Sequence, residues 1–79
     1  MLASDVPSVP AHRRVLGQNL RACRKRAGLT QEKLAEIAGL SVVFISLLEN
    51  GWRAASLDTL VVIARALRVD LGDLVKGVR

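Results

Sequence analysis

A chain of 79 residues has room for one domain, and although 51% of it is hydrophobic only Phe44 and Trp52 are aromatic, so its core must be built from Leu, Ile, Val and Ala. A formal net charge of +5 points toward an acidic partner. One cysteine excludes an internal disulfide and any Cys-based zinc site, and no stretch is long and apolar enough to cross a membrane. A reduced, cytoplasmic setting fits.

The opening MLASDVPSVP lacks the charged and apolar regions of a secretory leader. Asp5, Pro7 and Pro10 predict an unstructured arm over residues 1–10, with one domain over 11–79. After Pro10, Leu16, Leu20, Cys23 and Ala27 recur on one helical face, with Cys23 in the core, and Gly28 ends that helix. Thr30 is an N-cap for a second helix, although Lys33 stands where a capping box would want Glu or Gln. Gly39-Leu40 makes a turn, Ser41 caps a third helix and Asn50-Gly51 terminates it. Residues 52–55 (WRAA) form a short connection. Ser56 caps a fourth helix with Asp58 in its first turn and a stripe of Leu57, Leu60, Ile63, Ala64 and Leu67. Asp70 caps a brief fifth, with Leu71, Leu74 and Val75 inward and Gly77 after it. With no alternating strand pattern, the chain reads as an all-α, compact five-helix domain.

The segment QEKLAEIAGLSVVFISLLEN, residues 31–50, holds two short helical patterns around a glycine break. A side chain larger than methyl at Ala35 would push two crossing helices apart, and a Cβ at Gly39 would strain a turn that needs positive φ. Leu34, Ala38, Leu40, Ile45 and Leu48 supply the buried faces. This is the pattern of a helix-turn-helix, which places its second helix in the DNA major groove. Arg13, Arg14, Arg21, Arg24, Lys25, Arg26 and Lys33 crowd the first half, opposed mainly by Asp5, Glu32 and Glu36. That basic flank suits phosphate binding, and equally suits a solvated helix face.

The motifs G-L-T-Q (28–31), L-A-x-x-A-G (34–39), I-S-x-L-E-N-G (45–51) and L-x-x-I-A-x-A-L (60–67), at these separations, resemble the lambda-repressor-like (Cro/C-repressor) family over about residues 12–76. The resemblance implies a five-helix DNA-binding domain that acts on double-stranded DNA as a homodimer. It implies phosphate contacts from Arg24, Thr30, Gln31, Asn50 and Arg53, and a structural ion pair between Arg24 and Glu49. It places base reading on Ser41, Val42, Val43, Ser46 and Leu47.

Three of those five reading positions are aliphatic, where family members commonly carry Gln, Asn, Arg, Ser or Thr. With Ile45 toward the core, a turn of about 100° per residue puts Val43, Ser46, Leu47 and Asn50 on the opposite face. Valine and leucine cannot make bidentate bonds to guanine or adenine, but they pack on thymine methyls. Three readings are open: thymine-rich half-sites, a docking patch for another protein, or exposed aliphatics with no role. Val61 and Val62, with Val75 or Val78, are candidates for a dimer interface, against the alternative of a wide core stripe. Trp52 is expected to be partly packed. Ala55 stands where the family often has Pro, and Arg68 where it often has Gly.

Nothing points to catalysis or a cofactor. His12 is the single histidine and reads as a solvated helix-start residue, and neither a carboxylate pair nor a phosphate loop is present. The sequence therefore reads as a DNA-binding transcriptional regulator, most simply a repressor on an inverted-repeat operator. The alternative is a protein-interaction module of antitoxin-like or adaptor type built on the apolar recognition-helix face.

Overall fold

Hydroxyl caps start three of the five helices. In the structure, a computed structural model that describes residues 8–79, α1 spans Ala11–Arg26, α2 Gln31–Ala38, α3 Val42–Glu49, α4 Leu57–Leu67 and α5 Leu71–Val75. Thr30 Oγ1 accepts from the Lys33 N–H, Ser41 Oγ from Phe44 and Ser56 Oγ from Thr59, each at 3.0 Å. Each cap satisfies an N–H that the first turn leaves without an intrahelical acceptor. Before α1, Pro10 supplies a preset φ, and its carbonyl accepts from Arg13 and Arg14 at 3.1 and 3.0 Å. At α5 the Asp73 carboxylate reaches back to the Asp70 N–H at 3.2 Å.

Four helices end alike. The N–H of Leu29 donates to Arg24 O, that of Leu40 to Ala35 O, that of Trp52 to Leu47 O and that of Val69 to Ala64 O, at 3.1, 2.9, 2.9 and 3.0 Å. Such a closure needs a residue in the left-handed region just after the helix. Gly39 meets it after α2 with φ +70°. After α4 the same duty falls to Arg68, at φ +57°, the one non-glycine with positive φ among the described residues. A Cβ in that conformation costs about 1–2 kcal/mol, and glycine's extra freedom when unfolded offsets part of any gain. Arg68→Gly should therefore stabilise the domain by about 1 kcal/mol, raising Tm by roughly 4–8 °C in thermal unfolding followed by circular dichroism. An unchanged Tm would mean that the Arg68 charge at the α4 C-terminus matches the strain.

The core joins all five helices through Leu20, Cys23, Leu34, Ile45, Leu48, Ile63 and Leu74, which are fully buried. Helix α1 packs on α3 and α5, α2 on α3 and α4, and α4 on α5. Gly17 sets the α1–α3 approach: a Cβ there would lie 2.5 Å from Leu48 O and closer still to Glu49 O. Asn19, two residues along, donates its amide to Leu74 O and Lys76 O, both at 2.8 Å, and so ties the end of α5 to α1.

Several expected positions shift. Ala27 is exposed, because α1 stops at Arg26 and Ala27 forms its C-cap. Leu57 is 63% exposed rather than part of the α4 stripe. As the first residue of α4 it leans back toward the connection, past the edge of the core. Ala38, Leu40, Leu71 and Val75 are half-buried. Of the arm expected over residues 1–10, residues 1–7 lie outside the described residues, and Val9 is half-buried beside Gly51. No described helix is long and apolar enough to cross a membrane.

Candidate nucleic-acid interface

Helices α2 and α3 meet through Leu34, Ala35, Ile45 and Leu48, all buried, across the Gly39-Leu40 turn. That contact turns the other side of α3 outward. Val43 is 63% exposed and Val42 37%, Ser41 and Asn50 are exposed, and Ser46 and Leu47 are half-buried. At the C-terminal end of this face the helix closes on its own carbonyls. The Trp52 N–H donates to Leu47 O at 2.9 Å, and the Asn50 amide donates to Ser46 O at 2.8 Å. The first turn of α3 is therefore the more prominent part.

Beneath this face lies a buried polar network. Arg24 donates from Nε to Glu49 Oε2 at 2.6 Å and from Nη2 to Oε1 at 3.1 Å, and its Nη1 reaches Leu29 O at 2.8 Å. Gln31 Nε2 also donates to Glu49 Oε1, at 3.1 Å. One carboxylate thus ties the end of α3 to α1 and to the start of α2. Its hydrogen bond is the main reason the Arg24 pKa is raised above its ordinary value, with burial acting the other way. Charge-assisted, bidentate bonds of this kind fix orientation as well as charge. Arg24 keeps two N–H groups free of these bonds, and Gln31 keeps one amide N–H and its carbonyl.

The flanks carry exposed donors. Arg53 sits with Cζ 5.7 Å from the centre of the Phe44 ring, which holds a cation beside the first turn of α3. Thr30 is exposed at the start of α2, where its hydroxyl caps the helix. Trp52 is 52% exposed, with its other half against the fold. Arg14, Arg21 and Lys25 are exposed along α1. The exposed Lys33–Glu36 pair, 2.8 Å apart, raises the lysine pKa and lowers the glutamate's through their hydrogen bond. Among the interface candidates, Val62 is 40% exposed, whereas Val61 is half-buried and Val75 and Val78 are half-buried against the core.

Three features escaped the sequence reading: Gly17 under Glu49, the Asn19 tie, and the Gln31–Glu49 bond. A glycine inside a helical pattern is itself a signal of close backbone approach. The other two need partners 18 to 57 residues away, which no local pattern names.

A family model for helix-turn-helix proteins, HTH_3, matches residues 20–74. The chain belongs to this helix-turn-helix family. It is similar to the control protein C.SmaI of Serratia marcescens, 38% identical over 60 residues that make up 76% of this chain and 71% of that one. It is also similar to the HTH-type transcriptional regulator y4dJ of Sinorhizobium fredii, 38% identical over 63 residues, 80% and 82% of the two chains. Among solved structures, the restriction–modification controller protein C.AhdI from Aeromonas hydrophila superposes with a TM-score of 0.80 at 35% identity, over 82% of this chain and 98% of that chain. The clp gene regulator ClgR from Corynebacterium glutamicum gives 0.78 at 34%, over 82% and 84%. The lambda-repressor-like resemblance read from the four motifs thus stands, and with it the five-helix fold of helix-turn-helix DNA-binding transcription regulators, a family that is typically non-enzymatic.

Proposed function

We propose that this helix-turn-helix protein is a sequence-specific, cytoplasmic transcriptional regulator that binds an inverted-repeat operator as a homodimer and represses by occupying it. The observation that carries this reading is the prominent, uncharged first turn of α3, with Arg53 beside it over Phe44 and the start of α2 tied through Gln31 to Glu49 at the other end of the helix. Ser41, Val42, Val43, Ser46 and Leu47 are assigned to base edges. Thr30, Gln31, Asn50, Arg53 and the two remaining N–H groups of Arg24 are assigned to phosphates, which position a protein without reading sequence. The N-terminus of α2 adds its own N–H groups and dipole to that contact.

Homodimer formation is assigned to Val61, Val62, Val75 and Val78. The exposure of Val62 supports it, as does the match between a two-fold protein and a palindromic site. A domain of this size can repress by steric exclusion alone.

The test is selection from random duplexes at moderate salt, followed by sequencing of what is retained. The expected result is an inverted repeat with half-site centres about one helical turn, roughly 10 base pairs, apart. The affinity should fall steeply with salt, as counterions released from phosphates require. Retention without a shared sequence, vanishing as salt rises, would overturn the reading. The exposure of Val43 would then favour the second one, a protein-docking module, whose complex should be nearly indifferent to salt.

A further inference from the structure

We infer that this chain selects its operator by the C5-methyl groups of thymine, contacted by Val42 and Val43, with hydrogen-bond readout reduced to a minor part; this rests on the DNA-binding reading above. The polar groups of the α3 face are engaged or recessed. Ser41 Oγ accepts the Phe44 N–H at 3.0 Å, so that hydroxyl keeps one O–H to donate. Asn50 has one amide N–H on Ser46 O, and Ser46 and Leu47 are half-buried. The methyl groups of Val43, followed by those of Val42, are what a duplex would meet first.

In the major groove only thymine offers an apolar group; guanine, adenine and cytosine offer acceptors or amino donors. A valine pressed against one of those edges removes water from it and supplies no partner, which is penalised. Against a thymine methyl the same valine buries apolar surface on both sides. Selection thus acts twice, by attraction to thymine and by exclusion of the other edges. Consecutive side chains on a helix diverge by about 100°, so Val42 and Val43 meet different bases. Each half-site should carry thymines at two positions. The surroundings favour a nucleic acid over an apolar protein face, because a cation, Arg53 over the Phe44 ring, stands beside the same turn as the valines.

Deoxyuridine tests this directly, since it differs from thymidine by that methyl alone. Operators recovered by selection would be remade with deoxyuridine at the two thymine positions of each half-site, or at thymines outside them. We expect about fourfold weaker binding for each methyl removed at a reading position, an unchanged salt slope, and no loss when outside positions are replaced. Val43→Ala, a change at an exposed site that leaves the core intact, should bind the thymine and uracil operators more nearly alike. Equal affinity of the unaltered protein for both operators would overturn the methyl readout while leaving specific DNA binding in place. So would an equal loss from uracil placed anywhere, which reports duplex shape instead. Failure to recover any operator would already have overturned the DNA-binding reading at the selection step.

Discussion

Glu49→Ala should destabilise the domain by about 3–5 kcal/mol. Arg24 and Glu49 are each only 9% exposed, and the carboxylate accepts two hydrogen bonds from the guanidinium and one from Gln31. Its removal leaves a buried cation without a counter-charge, which costs far more than the pair itself contributes. Arginine does not escape by deprotonating, because a guanidinium stays charged throughout the working pH range; the further rise of the Arg24 pKa in the fold comes mainly from Glu49 and is lost with it. A domain of this length has a total stability of roughly 4–12 kcal/mol, so a substantial unfolded fraction at 37 °C is expected. Urea unfolding measures the loss. A double variant, Arg24→Met with Glu49→Leu, should recover most of it, since no charge then remains buried. A loss below about 1 kcal/mol in the single variant would mean that water replaces the carboxylate as partner.

Gly17→Ala is the second large effect, and it acts on backbone. The new Cβ would lie 2.5 Å from Leu48 O and 2.8 Å from the Glu49 carbonyl carbon. Neither atom can rotate away, so the end of α3 must move off α1 by about 1 Å to restore ordinary contact. That shift would also pull Glu49 from Arg24. Overpacking of this kind costs about 3 kcal/mol, and the better helix propensity of alanine returns about 1, leaving a net loss near 2. Tm should fall by roughly 8–16 °C. Gly72→Ala serves as the control, because nothing lies within 4 Å of a Cβ at that position of α5. Equal Tm for the two alanine variants would refute the close-approach argument.

Much of the site is legible in the sequence. The outward turn of Val43 and Asn50 follows from placing Ile45 in the core and counting residues around a helix. The half-buried state of Leu47 does not, because counting residues around a helix gives a direction and not the neighbours that lie along it. Arg24 and Glu49 were paired through the family resemblance. That Gln31 shares the same carboxylate is a matter of three helices converging on one buried point.

The sequence by itself determined the helix starts, at Thr30, Ser41 and Ser56, the glycine turn at Gly39, the buried stripes of α2 and α3, and the family. Those features need only neighbours within a turn or two, and local hydrogen bonding and helical periodicity decide them. The tertiary structure alone decided that Leu57 faces water, that Gly17 sits under α3 and that Asn19 holds the end of α5. It also decided that Arg68 adopts the left-handed conformation at the end of α4. Each of these depends on which distant backbone arrives beside the residue, a property of the packed helices together and of no segment alone.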